Sequence, residues 1–433
     1  MSENATTFDV VIVGAGPGGL AAATTAAAAG RSVALLDDAP FPGGQIWRHQ
    51  GHPVAAAKRL IDALGNVTHL SQARVIAKPA PLTLLVDAPA GPRHVRWKSL
   101  VLATGTRERF LPFPGWTLPG VVGAGGMQAL VKQGLPVAGK RIVVAGTGPL
   151  LLAVAELLRA KGAVVPVIIE QAPGGRINRF GLSLMRTPVK LLAGVTLRAK
   201  LLGTRYATDS YVTAVTAPAR PSGPPLNGDG LRVEYVSQSR TATVDCDYLA
   251  CGFDLIPNNE LPQLLGCQTT GDGFVRVDGQ LRTTVSGIYA VGEVTGIGGV
   301  DKAVVEGRIA AHAIVGDTAA AARLAGAHAA ALAFSRRLAE AFALRPELKA
   351  LARPDTIVCR CEDVPLSAVQ RSMSGRDAKL QTRCGMGACQ GRVCGPILHH
   401  LCGSEPPTVR PPVFATSIRT LAAVPTGVEP STE

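Results

Sequence analysis

The chain opens on a short apolar, β-branched run at residues 8–13, a glycine-rich loop, and an alanine-rich stretch at 20–29 whose composition suits a buried helix. A second apolar strand at 31–36 follows and ends on two acids, Asp37 and Asp38. Strand, loop, helix and strand make a βαβ unit. The same order returns with strand 141–145, glycine loop 146–151, helix 152–161, strand 164–169 and then Glu170. Between the two, residues 75–76, 82–86 and 95–97 read as short strands divided by Pro and Gly, and 99–102 as an apolar strand running into Ala103-Thr104-Gly105. Residues 110–126, rich in Pro and Gly, read as a crossover linker; residues 211–249 alternate as a β-meander around a Pro-, Gly- and Asn-rich loop at 218–230. A strand at 284–293 ends in Gly292-Glu293, a helix is predicted over 300–315, and the alanine-rich segment 319–350 predicts a packed helical connector. His312 and His328 have no ligand-like neighbours in the sequence and read as surface residues. The pattern predicts an α/β protein with two Rossmann-like dinucleotide-binding domains.

The first loop is Gly14-Ala15-Gly16-Pro17-Gly18-Gly19. Gly14 permits the tight turn off the strand, Gly16 lets a pyrophosphate approach the N–H groups at the helix N-terminus, and Gly19 lets helix and strand pack closely. Asp37 stands where a carboxylate accepts hydrogen bonds from an adenosine ribose, about 20 residues beyond the glycines. Glycine loops arise by chance in a chain with 49 glycines; the strand before, the helix after and the acid behind make this one a dinucleotide loop. The second loop departs from the pattern at Leu151, where the third glycine should stand. Leucine there holds helix and strand further apart. That speaks against NAD(P), in favour of an inherited scaffold or a site for another nucleotide.

Composition narrows the class. A chain of 433 residues with 47% hydrophobic content supports two to four domains. No apolar run reaches membrane-helix length, and the polar residues 1–7 lack a basic region followed by an apolar one, so a cytoplasmic location with at most peripheral membrane contact is expected. The net charge of +13 is scattered, without a basic run or aromatic platform, which excludes a nucleic-acid binder and leaves a field able to steer an acidic partner or an anionic membrane.

Six of the nine cysteines lie between Cys359 and Cys402, a crowding that points to metal rather than to a disulfide framework. Cys359-Arg360-Cys361 places two thiolates on one turn, and Cys384, Cys389 and Cys394 follow on glycine-rich loops. Four thiolates suit Zn(II) or a [2Fe-2S] centre. The spacing lacks the two short knuckles usual in zinc sites, and a cluster beside a flavin makes an electron path, so iron and sulfur are expected. Five cysteines compete for four places. Cys359, Cys361, Cys389 and Cys394 are the expected ligands and Cys384 the spare, although Cys384 and Cys389 have the same spacing as Cys389 and Cys394. Arg360, Arg383 and Arg392 would offset the charge of the cluster and raise its potential. Cys402, Cys246, Cys251 and Cys267 read as core thiols.

With these residues in view, the chain resembles a known family over nearly its whole length. VGAGPGGLAAA, the PGGQIWR loop, LATGTRER with PFPGWTLPGV, AGTGPLLLAVAELL, GIYAVGEVTGIGG and the CRCEDV and TRCGMGACQGRVC strings resemble the flavin-containing α subunit of heteromeric amino-acid and opine dehydrogenases. That group holds octopine and nopaline oxidases, hydroxyproline dehydrogenases and the cyanide synthase that oxidises glycine. The resemblance implies a glutathione- and thioredoxin-reductase-like flavoprotein with a small C-terminal [2Fe-2S] domain similar to bacterioferritin-associated ferredoxin. The expected division is 1–115 with 245–320 for FAD, 116–244 for the second nucleotide-type domain, 321–352 for the connector, 353–405 for the cluster and 406–433 for a Pro-rich tail.

The resemblance further implies that substrate is oxidised on a separate β subunit similar to D-amino-acid oxidases. An FMN at the interface with that partner is a further expectation, and so is a small third subunit. Electrons would leave through FAD and [2Fe-2S] to a respiratory quinone or cytochrome, in a complex at the inner face of the membrane. FAD would be held by Gly14, Ala15, Gly16, Pro17, Gly19, Asp37, Asp38, Gly44, Gln45, Ala103, Thr104, Gly105, Gly292 and Glu293. Glu293 departs from the aspartate of related disulfide reductases, and neither nucleotide domain holds a redox CxxC, which argues against thioredoxin-reductase chemistry. No catalytic residue is assigned, because no His, Arg or Tyr constellation remains to grip an α-amino acid. Two other readings stand beside this one: a self-sufficient NAD(P)H-dependent FAD/[2Fe-2S] reductase, which Leu151 opposes, and a non-catalytic nucleotide and iron-sulfur scaffold.

Overall fold

The computed structural model describes residues 6–217, 230–369, 374–404 and 408–423. Most of the polar start, the loop expected from Pro218 onward and the end of the Pro-rich tail lie outside the described residues. The chain forms two compact units: Met1–Arg107 with Ile256–Arg336 and Thr408–Glu433, and Glu108–Leu255 with Arg337–Pro407.

In the first unit the Thr6–Val13 strand lies in a parallel sheet between Val33–Leu36 and Arg93–Leu102, with Thr68–Leu70 beyond the former. The pieces expected at 95–97 and 99–102 are one ten-residue strand, Arg93–Leu102. Its first half pairs antiparallel with Thr83–Asp87, and its last three residues pair parallel with Ile288–Ala290. One strand therefore brings the ends of Thr6–Val13 and Ile288–Ala290 level with each other, since Val13 and Ala290 both pair with Leu102. Helix Pro17–Ala28 packs against helix Gly299–Val315 at unusually close range, because Gly18 and Gly307 face each other's backbones: a Cβ at Gly307 would collide with the Gly18 carbonyl.

In the second unit a parallel sheet runs Arg205–Ala207, Val167–Glu170, Ile142–Gly146, Tyr248–Gly252 and Val121–Gly123. The crossover expected at 110–126 thus contains an edge strand and the first turn of helix Ala124–Lys132. The meander is three antiparallel strands, Ser210–Thr216, Leu231–Ser237 and Arg240–Cys246. The last residues of the expected meander turn away into the parallel sheet, where Leu249 is fully buried. Leu151 is fully buried. Its side chain fits against Gly252, where an added Cβ would lie 3.5 Å from Leu151 Cδ2.

The cysteine-rich segment shares a core with this unit. Val358, Cys359, Val364 and Ile397 pack in one apolar cluster with Phe113, Trp116, Val212 and Val233. Trp116 ties the two parts together through Nε1–H donated to the Ile357 carbonyl at 2.6 Å.

Candidate functional site

The first glycine loop is held from behind by an acid. Asp37, 8% exposed, accepts the N–H of Ala15 on Oδ2 and that of Ala39 on Oδ1, at 2.7 Å for the latter. Burial raises its pKa, against the pull of those two donors. Asp37 therefore shapes the loop before it meets any ribose, whereas Asp38 lies outward beside Arg74 at 3.6 Å. Gly14 and Gly19 are required sterically: a Cβ at the first would strike the Ala103 carbonyl, and one at the second the Gly14 carbonyl. The 41–48 loop closes over the front. Gly43 N–H bonds Ala15 O at 2.8 Å, Gly44 lies on Gly16, and Gln45 is exposed, accepting from Arg48 at 2.8 Å.

On the opposite rim, Thr104 donates to the Asn258 carbonyl at 2.7 Å and accepts from Asn258 Nδ2 at 2.9 Å through its own carbonyl. Glu293 bridges this rim to a helix start, accepting from Thr106 Oγ1 at 3.0 Å and from Gly299 N–H at 3.2 Å. Gly105 and Gly299 face open space, with no atom within 4 Å of an added Cβ. The N-terminus of helix Pro17–Ala28 carries no side-chain cap, so its first N–H groups point to the loop without an internal acceptor. The structure thus brings many of the expected residues together, with Gly14 against Ala103, Gly16 against Gly44 and the neighbouring Gly18 against Gly292.

The second loop is closed by its own chain. Gln171, 1% exposed, donates to Thr147 Oγ1 at 2.9 Å and to the Ala343 carbonyl at 3.2 Å, and Thr147 donates to the Phe342 carbonyl at 3.2 Å. Arg345 N–H returns to Gln171 Oε1 at 3.0 Å. The Phe342 ring lies over Gly148, where a pyrophosphate would rest. Glu170, the acid in the ribose position, is fully buried and accepts from Gly148 N–H and Ala172 N–H, both at 2.8 Å. Burial pushes its carboxyl up to about 7 despite these bonds. These bonds tie the second loop to residues 342–345.

Five thiols converge in the cysteine-rich segment. The Sγ atoms of Cys359, Cys384 and Cys394 lie within 4.8 Å of one another, and hydrogen bonds link Cys394 to Cys389 and Cys389 to Cys361. Cys384, expected to stand apart, is 4% exposed and sits against both Cys359 and Cys394. The cause is local: Arg383 ends helix Gly375–Thr382 in a left-handed conformation, φ 63°, which swings Cys384 inward. Gly387 is needed at the rim, because a Cβ there would collide with Cys361 Cβ. Of the three arginines expected to offset thiolate charge, Arg383 is paired with Glu362 at 2.8 Å and Arg360 stacks over Trp116 at 5.2 Å. Cys246 and Cys251 are plain core thiols, with burial pushing Cys246 up to about 12.

Residues 8–313 match the pyridine nucleotide-disulphide oxidoreductase family. The A subunit of opine oxidase from Agrobacterium tumefaciens is 31% identical, over 93% of this chain and 87% of that protein. The chain belongs to the opine oxidase A-subunit family of these oxidoreductases. Hydrogen cyanide synthase subunit HcnB of Pseudomonas aeruginosa is likewise 31% identical, over 89% of this chain and 90% of its own length. L-proline dehydrogenase from P. horikoshii shares the fold, with a TM-score of 0.66 and 17% identity over 96% of this chain and 80% of that one.

As a member of the opine oxidase A-subunit family, the chain is an FAD-dependent oxidoreductase component. Its first cleft fits that cofactor: the open backbone at Gly105 and Gly299, the apposed Gly16 and Gly44 and the uncapped helix start suit a dinucleotide that no bulkier residue set would admit. Among the described residues no helix is long and apolar enough to cross a membrane.

One group behind this cleft escaped the sequence. Lys302 and Glu306, each 1% exposed, pair at 2.8 Å, and Lys302 Nζ also donates to the Gly292 carbonyl at 2.9 Å and to Thr295 Oγ1 at 2.7 Å. Glu306 accepts from Gly292 N–H at 2.7 Å, and His328 Nε2 lies 3.1 Å from its other oxygen. His328 is thus no surface residue. The signal was present: opposite charges four apart, on the helical row that continues into the fully buried Ala310.

Proposed function

We propose that this chain is the electron-transferring component of a heteromeric, flavin-dependent dehydrogenase acting on the CH–NH group of an opine, or of proline or hydroxyproline, with the substrate site on a D-amino-acid-oxidase-like partner. The observation that carries this is the gathering of five thiols within hydrogen-bonding reach in a chain whose other nucleotide loop is filled by residues 342–345. A flavoprotein without a pyridine-nucleotide entrance must take its electrons from elsewhere. The relatives are by name single subunits of opine oxidase and of hydrogen cyanide synthase, which supports a partner as the source.

FAD would be held by the 14–19 loop, Asp37, Gly44, Gln45, residues 103–105, Gly292 and Glu293, and it supplies the exchange of electron pairs for single electrons. A [2Fe-2S] centre would be held by Cys359, Cys361, Cys389 and Cys394, whose soft thiolates suit iron. An FMN at the partner interface, a quinone or cytochrome acceptor and a small third subunit complete the reading.

Co-expression with the neighbouring reading frames, followed by assay against opines, proline, hydroxyproline and glycine with an artificial acceptor, tests it. Turnover is expected from the complex and none from the isolated chain. Comparable turnover by the isolated chain would place the substrate site here and overturn the proposal.

NADH and NADPH are expected to leave the flavin oxidised under anaerobic conditions, because entry requires breaking the Thr147, Gln171 and Arg345 hydrogen bonds and expelling Phe342. Stopped-flow absorbance reads this directly. Rapid bleaching by either nucleotide would favour the self-sufficient reductase.

A further inference from the structure

Residues 174–205 of the second unit expose what the rest of the chain buries. Helix Gly174–Ser183, a 3-10 turn at Leu184–Arg186 and helix Pro188–Lys200 follow one another, and the last of these buries no residue at all. Val189, Leu192 and Val195, at spacings of three, form an apolar stripe along it, 81%, 67% and 58% exposed. Leu182 and Met185, each 69% exposed, and Leu202 at 77% extend it. Six of the sixteen exposed large hydrophobic side chains among the described residues thus fall within one short segment, which isolated exposed side chains elsewhere do not imitate.

The charge of the same segment is one-sided. Residues 174–205 hold seven Lys and Arg and no Asp or Glu. Arg176, Arg179 and Arg186 flank the stripe on its N-terminal side and are exposed; Arg198, Lys200 and Arg205 flank it on the other. Arg198 lies on the Tyr206 ring at 4.7 Å, and Lys200 reaches Glu156 outside the segment at 2.8 Å.

We propose that this helical segment seats the protein on an anionic bilayer surface. An apolar stripe ringed by cations, with no carboxylate within the segment itself, matches acyl chains beneath anionic headgroups: the aliphatic side chains enter the boundary while Lys and Arg stay at phosphate level. A protein partner of ordinary surface composition is the poorer match, since recognition there uses both signs of charge and this segment offers only one. Helix Pro188–Lys200, at 13 residues, is too short to span and lies in the surface plane. Attachment of this kind is reversible and weakens with salt. The inference stands on this segment alone and does not depend on the reading of the thiols or the flavin.

The test is vesicle flotation with the full chain, alone and co-expressed with its partner, on phosphatidylcholine vesicles and on an equimolar phosphatidylcholine–phosphatidylglycerol mixture. Binding to the anionic vesicles is expected to exceed that to the neutral ones at least about tenfold and to fall as sodium chloride is raised. The double substitution Val189→Asp, Leu192→Asp is expected to abolish it while circular dichroism and flavin absorbance stay as in the wild type, because both side chains are already in solvent. Failure of the wild type to float on either vesicle overturns the proposal, as does unchanged flotation of the double variant. If the double variant instead loses its co-purifying partner while wild-type protein ignores vesicles, the face is a protein–protein interface and the proposal falls.

Discussion

Replacing Cys359, Cys361, Cys389 or Cys394 with serine is expected to strip the protein of iron and of its broad visible absorbance, leaving the flavin bands. Hard hydroxyl oxygen is a poor substitute for thiolate on iron, so each substitution removes one of four corners from a site that has no neutral ligand to spare. Cys384→Ser is the informative member of the series. Its thiol touches Cys359 and Cys394, so the substitution is expected to retain iron at wild-type stoichiometry while shifting the electron paramagnetic resonance of the reduced protein. Protein prepared without oxygen and assayed for iron, zinc and acid-labile sulfide decides the matter. Iron loss in Cys384→Ser with retention in Cys361→Ser would move the ligand role to the buried trio of Cys359, Cys384 and Cys394. Zinc without iron in the wild type would remove the electron-transfer reading of this segment altogether.

Cys384 also marks where sequence stops being informative. Spacing alone makes Cys384–Cys389 and Cys389–Cys394 equivalent, and the choice between them turns on which thiol a single left-handed residue, Arg383, swings inward. The first loop was far more legible, because Gly14 and Gly19 are each demanded by a backbone carbonyl that any side chain would strike, and such steric demands leave a fixed spacing in the chain. The second loop keeps the first two glycines, has Leu151 in place of the third, and packs against its own chain. What fills it, residues 342–345, lies almost two hundred residues downstream of Thr147, and no local pattern announces a contact of that separation. Strand Arg93–Leu102 was read as two pieces for a related reason: its first half meets the antiparallel arm and its second the parallel sheet, so burial changes character midway.

Lys302→Met is expected to destabilise the protein by about 3–5 kcal/mol at neutral pH, the usual cost of leaving a buried charge without its partner. Glu306 would keep only His328, and the Gly292 carbonyl and Thr295 hydroxyl would lose a donor. The pH dependence identifies the cause. In the wild type burial works against the Glu306 carboxylate, but hydrogen bonding to His328 and the charge of Lys302 hold its pKa below 4.5, so the pair's contribution is complete above that value and fades only as pH falls further. Without Lys302, burial prevails and the carboxyl is raised above its unfolded value. Its contribution is then present at low pH and lost as pH climbs through the raised pKa. Melting temperature in the variant should therefore fall as pH rises above the ordinary carboxylate range, where the wild-type pair contributes a constant amount. Flavin release should accompany it, since Gly292 and Glu293 sit on the turn that Lys302 and Glu306 pin. Replacing both residues, Lys302→Met with Glu306→Leu, should not restore stability, because Gly292 N–H would still lack its acceptor. A variant that melts at the wild-type temperature with the wild-type pH profile would show that the pair merely fills space between the helix and the turn.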